Sequence, residues 1–172
     1  MGIPASKKIR SWAETRSMIE KWQADGLKVV FTNGCFDILH MGHIAYLEKA
    51  AELGQKLVIG VNSDSSTKNL KGEHRPINVE YSRMYLLASL SFVDCVVKFD
   101  EETPFNLIST ILPNILVKGG DYSAEDIIGA DVVQAHGGEV KTLDFVDGYS
   151  TTDIESRILS LHRFNSSLDE SE

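Results

Sequence analysis

Residues 32–43 read TNGCFDILHMGH, and this stretch joins a hydrophobic, β-branched run to an amphipathic helical pattern. Gly34 allows the backbone to turn sharply close to a ligand, and Gly42 leaves the amide end of the following helix unobstructed. His40 and His43 are three residues apart, so both rings project to the same side of the first helical turn. Two imidazoles at the positive end of a helix dipole can donate hydrogen bonds to phosphate oxygens. The stretch therefore predicts a phosphate-binding site without the Gly-Lys-Ser/Thr ending of a P-loop.

The histidine pair has two other interpretations. The histidines could cap the helix, or they could join Cys35 and Asp37 in a metal site. The preceding Gly-Cys-Phe-Asp context favours phosphate contact, and the loop lacks a convincing set of four zinc ligands. Cys35 is interpreted as a small packed residue, because no base is placed near it in sequence to activate the thiol.

Strand-like and helix-like segments alternate along the rest of the chain. The strand candidates are short, apolar and β-branched, as strands covered on both faces are; they are residues 28–31, 56–61, 93–99, 114–117 and 140–146. The helix candidates are residues 11–24, 41–53, 80–90, 104–111, 132–135 and 152–161. Such alternation forms right-handed crossover units around a parallel sheet. The expected fold is α/β, with a Rossmann-like parallel five-stranded sheet and helices on both faces.

Length and composition indicate one domain. A chain of 172 residues that is 42% hydrophobic can bury one core but is short for two ordinary domains. We expect a single domain over residues 1–163 and a flexible tail, rich in serine and acidic residues, over residues 164–172.

Charge and cysteine content limit the classes of partner and compartment. The net charge of −8 argues against nucleic acid or an anionic membrane as the main partner. Cys35 and Cys95 are too few for a disulfide framework, which fits a reducing compartment. No apolar stretch approaches the length of a membrane span and no secretory signal is evident, so a cytoplasmic location is expected.

Polar and glycine residues follow four of the five strand candidates. In an open parallel sheet, ligands bind beyond the carboxyl ends of the strands, near the point where strand order reverses. The residues in question are 32–37 after the first strand, 62–64 after the second, 118–121 after the fourth and 147–152 after the fifth. The sequence therefore predicts a binding site at this edge of the sheet.

Four segments resemble the HxGH nucleotidyltransferase superfamily, which includes the cytidylyltransferases and pantetheine-phosphate adenylyltransferase. TNGCFDILHMGH, VNSDSSTKNLKGEHRPIN, ILVKGGDY and DGYSTTDIESRI are similar to the D-glycero-beta-D-manno-heptose 1-phosphate adenylyltransferases, the ADP-heptose synthase branch. The resemblance covers roughly Val29 to Ile158 in the expected order. It implies transfer of AMP from ATP to that heptose 1-phosphate, with release of pyrophosphate, for lipopolysaccharide core biosynthesis.

The resemblance also implies roles for individual residues. The catalytic set, which would contact the phosphates during transfer, is His40, His43, Lys71 and Lys68. The nucleotide-binding set is Thr32, Asn33, Gly34, Cys35, Phe36, Asp37, Gly42, Lys118, Gly119, Gly120, Asp121, Ser150, Thr151 and Thr152. The substrate-binding set is Asn62, Asp64, Arg75 and Arg83, the last on a helix and facing the site. Mg²⁺ is expected to arrive with ATP, with no dedicated metal ligands from the protein.

Two of these segments have local features of their own. Lys68, Lys71, His74 and Arg75 form a basic cluster in a polar segment, which we expect to be a loop that closes over the nucleotide. A merely solvated charged loop is the alternative. Ser150 with Asp153 forms a capping-box pattern, so a stabilising role accompanies the expected phosphate contact there.

Other functions within and outside the superfamily remain open. A cytidylyltransferase acting on a polyol or amino-alcohol phosphate is the alternative enzyme, and a nucleotide-binding module without turnover is the alternative from another class. Related glycerol-3-phosphate cytidylyltransferases carry an arginine shortly before their Ser-Thr-Thr segment, whereas residues 144–148 here read DFVDG, which favours the heptose branch. A homodimer is expected. The bifunctional relatives carry a fused sugar kinase, so a separate heptose kinase is expected here.

Overall fold

The computed structural model describes residues 3–120, 126–144 and 148–169, with side chains described as far as Leu161. Its strands are β1 (Ile9–Arg10), β2 (Val29–Gly34), β3 (Lys56–Asn62), β4 (Cys95–Phe99), β5 (Ile115–Gly119) and β6 (Glu139–Leu143). Its helices are α1 (Trp12–Ala24), α2 (Met41–Ala51), α3 (Asp64–Lys71), α4 (Glu80–Ser89), α5 (Phe105–Ile111), α6 (Ala130–Ala135) and α7 (Thr151–Asp169). In these ranges no helix is both long and apolar enough to span a bilayer.

The strands form one parallel sheet in the order β1-β4-β3-β2-β5-β6. This confirms the expected α/β class, but the described sheet has six strands where five were predicted. The additional strand, β1, is two residues long, and Ile9 pairs with Val96 of β4. Two residues are too few to show any strand periodicity, which is why the sequence did not reveal it.

Apolar cores lie on both faces of the sheet, as predicted. Successive strand residues point to opposite faces, so Val30 packs against α2 and α4 while Val29 packs against α1, α5 and α6. On the first face the helices contribute Tyr46, Leu47, Ala50, Met84, Leu87 and Ala88. On the second they contribute Ile19, Leu107, Ile108, Ile111, Ala130 and Val133. Burial on both sides explains why the central strands are apolar throughout.

Two helices differ from the sequence prediction. The segment expected to form a loop over the nucleotide contains α3, which Ser63 caps by accepting a hydrogen bond from the Ser66 amide at 3.2 Å. Of the α3 residues only Ser66 and Thr67 are buried, so the helix carries no apolar stripe that periodicity could detect. Helix α7 continues to Asp169, beyond the predicted end at residue 161.

Strand order reverses at β2. The chain runs from β2 through β3 to β4 on one side and then returns to place β5 and β6 on the other. A crevice forms where two connections leave adjacent strands in opposite directions. The carboxyl ends of β2 and β5 therefore define the place where a ligand site is expected.

Candidate active site

Two adjoining cavities of about 440 Å³ each lie at this crevice. His43, Lys71 and Thr151 line both cavities, which therefore form one cleft. One cavity is otherwise lined by His40, Gly42, Gly148, Tyr149, Ser150, Thr152 and Asp153. The other is otherwise lined by Asn33, Gly34, Cys35, Phe36, Asp37, Tyr46, Leu70, Lys118 and Gly119. The cleft thus brings together the ends of β2, β5 and α3, the loop after β2 and the residues at the start of α7.

His40 is the N-cap of α2. Its Nδ1 accepts a hydrogen bond from the His43 amide at 3.4 Å, and the two rings stack with centroids 3.8 Å apart. Because Nδ1 acts as the acceptor, the proton of the neutral ring lies on Nε2. The capping interpretation and the phosphate interpretation are therefore compatible, since the cap leaves a donor available for an anion.

His43 is partly buried and its pKa is lowered to about 4. Burial is the main cause, followed by the nearby His40 ring and the Lys71 ammonium. Nδ1 of His43 is buried and forms no hydrogen bond with any described residue. The backbone of Ile38 nearby acts in the opposite direction to burial and raises the pKa of the ring. The pKa of His40 is also lowered by burial. Both rings are therefore neutral at pH 7 before an anion enters.

Gly42 allows the segment before α7 to approach α2 closely. A Cβ atom on Gly42 would lie 2.9 Å from Cβ of Tyr149 and 3.2 Å from Nδ1 of His40. Both distances are shorter than ordinary contacts between carbon and other heavy atoms. Glycine at this position therefore keeps the two walls of the cleft together.

The two catalytic lysine candidates occupy different environments. Lys71, the last residue of α3, lines the cleft and lowers the pKa of His43, so its ammonium is close to that ring. Lys68 lies one turn earlier and pairs with Glu73 at 2.6 Å, outside the residues that line the cleft. The structure thus places Lys71, and not Lys68, beside the histidine pair.

Helix α7 starts at the opposite wall. Ser150 Oγ accepts a hydrogen bond from the Asp153 amide at 3.0 Å and donates one to its carboxylate at 2.7 Å, which confirms the predicted cap. Thr151 and Thr152 line the cleft and belong to the first turn of the helix, whose backbone amides have no partners within the helix. Such amides favour negative charge, as helix N-termini generally do.

Lys118 lies at the end of β5 and lines both the cleft and a neighbouring cavity of about 220 Å³. Burial lowers its pKa, an effect that nearby Cys35 opposes. Gly119 lines the cleft, whereas the Gly120 amide donates to the Leu143 carbonyl at 3.0 Å. Asp121, predicted to bind nucleotide, lies outside the described residues.

Three predicted contact residues do not reach the cleft with their side chains. Thr32 is fully buried, and its hydroxyl pairs with Tyr46 at 2.7 Å. Asn62 is buried and donates to Ser66 Oγ at 3.0 Å. Arg83 was expected to face the site, but its side chain has 0% exposure. Each of these side chains is engaged inside the protein. The expectation that Arg83 faces the site is therefore wrong, while ligand binding by Thr32 and Asn62 stays a prediction.

Arg83 organises the walls of the cleft from below. Its guanidinium donates to the Cys35 carbonyl, to the Asn78 carbonyl at 2.9 Å and to the Asp64 carboxylate at 2.8 Å. Asp64, another predicted substrate contact, is therefore paired with Arg83 and does not line either cavity of the cleft.

Asp37 and Arg75 are likewise linked to the protein itself. The Asp37 carboxylate accepts hydrogen bonds from Arg75 at 2.8 Å, from the Ile77 amide at 2.7 Å and from the Asn78 amide at 3.0 Å. These bonds outweigh the effect of burial and lower the pKa of Asp37. Asp37 borders the cleft with both carboxylate oxygens already engaged by the protein, and Arg75 does not line either cavity.

Several lining residues were not predicted from sequence. Tyr46 belongs to the apolar pattern of α2 and Asp153 to the cap of α7, so each carried an ordinary structural signal. Leu70 and Tyr149 lie next to the predicted site residues Lys71 and Ser150, and that adjacency was the available signal for both. Among the described residues, no group of three or more His, Cys, Asp or Glu side chains could hold a metal ion.

Comparison with known proteins identifies the family. The cytidylyltransferase-like family matches residues 31–157. Proteins described as bifunctional protein HldE are similar: that of Syntrophotalea carbinolica is 53% identical over 152 residues, covering 88% of this chain and 31% of that protein. The HldE protein of Pasteurella multocida is 54% identical over 153 residues, which cover 89% of this chain and 32% of that protein. This chain therefore spans about a third of the length of these relatives.

Solved structures agree on the fold. A lipopolysaccharide core biosynthesis protein from Thermoplasma volcanium has a TM-score of 0.58 and 31% identity, covering 73% of this chain and 100% of that one. Pantoate-beta-alanine ligase from Francisella tularensis has a TM-score of 0.57 at 14% identity, and the match covers 86% of this chain and 75% of that one. At this identity the likeness is one of fold alone. With the family matched across most of its length and the histidine pair in the expected crevice, the chain belongs to the cytidylyltransferase-like family.

Proposed function

We propose that this protein transfers AMP from ATP to D-glycero-beta-D-manno-heptose 1-phosphate, giving ADP-heptose and pyrophosphate for lipopolysaccharide core biosynthesis. The observation that carries the proposal is the stacked His40–His43 pair, which lies beside Lys71 and shares a cleft with the start of α7. The choice of substrates is supported by the heptose-branch motifs and by similarity to the HldE proteins.

The reaction requires positioning and charge stabilisation more than proton transfer. An anionic oxygen of the sugar phosphate attacks the α-phosphorus of ATP, a new P–O bond forms, and the bond to pyrophosphate breaks. The nucleophile is already deprotonated, so no general base is assigned. Oxygens at the reacting phosphorus would accept hydrogen bonds from Nε2 of His40 and His43 and from the Lys71 ammonium.

The opposite wall would hold the departing pyrophosphate. Thr151 and Thr152 offer hydroxyls and free amides where negative charge accumulates as the bond breaks. A bound triphosphate also raises the pKa of the histidines, because nearby negative charge favours their protonated forms. Lys118 and Gly119 would border the nucleoside on the far side of the cleft.

Magnesium would enter with the triphosphate and neutralise part of its charge. We expect the metal to be held mainly by phosphate oxygens. No step of the mechanism above depends on a protein–metal bond.

The expected setting is also part of the proposal. We propose a cytoplasmic homodimer. The exposed Tyr81, Tyr85 and Leu86 side chains of α4 support an interface on that helix.

The alternative enzyme is a cytidylyltransferase acting on a polyol or amino-alcohol phosphate, which the similarity to the HldE proteins does not favour. The discriminating experiment measures pyrophosphate release with magnesium, crossing ATP and CTP against the heptose 1-phosphate and glycerol 3-phosphate. We expect turnover only with ATP and the heptose phosphate, and a loss of at least a hundredfold in His43→Ala. Lys68→Met is the matched control, expected to retain activity because Lys68 lies outside the cleft.

Turnover with CTP and glycerol 3-phosphate would establish the alternative. ATP binding without pyrophosphate release from any pair would assign the chain to the nucleotide-binding modules.

A further inference from the structure

The start of α7 lies over the cleft, yet most of the apolar side chains of this helix that the structure describes, as far as Leu161, are exposed. Thr151 and Thr152 line the cleft, whereas Ile158, Leu159 and Leu161 further along are 56–59% exposed. Apolar burial is the main source of helix docking in proteins. The position of the α7 start must therefore depend on specific contacts near its first turns.

Two such contacts are present. Tyr149 packs against Gly42 at the start of α2, because a Cβ atom on Gly42 would lie only 2.9 Å from Cβ of Tyr149. Glu155, on the second turn of α7, accepts a hydrogen bond from the Arg75 guanidinium. Among the side chains that the structure describes, Arg75–Glu155 is the one ion pair that joins α7 to another element.

Arg75 is attached more firmly to one partner than to the other. Its Nη1 donates at 2.8 Å to Asp37, whose side chain is 3% exposed and also holds the Ile77 and Asn78 amides. Its other partner, Glu155, has a side chain that is 32% exposed. A guanidinium can hold two carboxylates at once in a fixed geometry, which an ammonium cannot reproduce. Arg75 therefore connects a rigid loop to a weakly attached helix.

We propose that Arg75 is a positioning residue: by joining Asp37 to Glu155 it holds the start of α7 over the cleft, so that both walls engage the same triphosphate. The proposal rests on the proposed function only in naming a nucleoside triphosphate as the ligand. It differs from the sequence-based expectation that Arg75 contacts the acceptor, since Arg75 lines neither cavity of the cleft.

The first test uses Glu155→Gln, with Glu139→Gln as the matched control. Glu139 is an exposed carboxylate on β6 that pairs with Lys141 at 2.9 Å, so the control removes the same charge elsewhere. Hydrogen exchange of the amides of residues 154–161, measured without substrate, is expected to accelerate about tenfold in Glu155→Gln and to stay unchanged in the control. Unchanged exchange in Glu155→Gln would overturn the proposal, whatever reaction the protein catalyses.

The second test separates a tether from a substrate contact. In Glu155→Gln we expect the KM for ATP to rise about tenfold while the KM for the acceptor stays within twofold. Arg75→Lys is expected to give the same pattern, and the double variant is expected to add little, because one connection is already broken.

The opposite pattern would assign Arg75 to the acceptor. A rise in the acceptor KM alone in Arg75→Lys, with wild-type kinetics in Glu155→Gln, would overturn the proposal that Arg75 holds the start of α7 through Glu155. If no substrate pair reacts, the exchange result still decides the tether while the proposed function fails separately.

Discussion

Acidification is expected to destabilise this protein through His43. The folded protein holds the ring neutral with a pKa of about 4, whereas the unfolded chain protonates it near the ordinary value of 6.5. Between these two values the unfolded state binds more protons than the folded state. The stabilisation is therefore fully present above pH 6.5 and is lost as the pH falls toward 4.

The magnitude follows from the two pKa values. Lowering the pH from 7.5 to 4.5 would cost about 2.5 kcal/mol in the free energy of unfolding if the ring were fully shielded from solvent. His43 retains some exposure, which reduces the expected loss to about 2 kcal/mol. Carboxylates such as Asp37 also titrate in acid, so the contribution of His43 must be measured as a difference between variants.

The assay is urea unfolding of the wild type and His43→Asn at pH 7.5, 6.5, 5.5 and 4.5. Asparagine cannot be protonated, so the variant lacks this part of the acid sensitivity while it keeps the carboxylates. The stability difference between the two proteins is expected to change by about 2 kcal/mol across the range, in favour of the variant at low pH. Parallel curves, with a change below about 0.5 kcal/mol, would refute the buried neutral state of His43.

Two further variants test the geometry of the cleft. Gly42→Ala is expected to weaken ATP binding about tenfold in a titration, because the new Cβ would press on Tyr149. The higher helix propensity of alanine offsets the accompanying loss of stability by about 1 kcal/mol. Wild-type affinity would contradict the close approach of the two walls. Lys71→Met is expected to raise the pKa of His43 from about 4, because a nearby cation is removed. NMR titration of the His43 ring measures this pKa. An unchanged pKa, or an equal rise in Lys68→Met, would show that Lys71 does not act on this histidine.

Much of the fold was predictable because its signals are local. The β-branched runs that became β2, β3, β4 and β5 are buried on both faces, so each one is apolar along its length. The location of the cleft followed from the sheet rule, since polar residues after parallel strands meet at one edge. His40, His43 and Ser150 were recognisable because capping and same-face spacing depend on neighbours within a few residues.

The remaining features depend on partners that are distant in sequence. Arg83 is buried because the carbonyl of Cys35, 48 residues away, accepts one of its hydrogen bonds. Nothing local distinguishes it from an arginine that faces a ligand. Asp37 and Arg75 are 38 residues apart, and their pairing becomes visible only when the loops fold together. Helix α3 escaped detection for another reason, because its cap was present but Leu70 is its only apolar residue, too few for a helical period.

The short strand β1 has a consequence for handling the protein. It covers the outer edge of β4, where the Val96 amide donates to the Lys8 carbonyl, and Trp12 adds a bond to the Lys98 carbonyl at 2.6 Å. Without residues 3–12, the backbone N–H and C=O groups of β4 would become an open edge that can recruit strands from other molecules. Shortened versions and fusions of this chain should therefore keep residues 3–12, because these residues protect the protein from aggregation although they do not line the cleft.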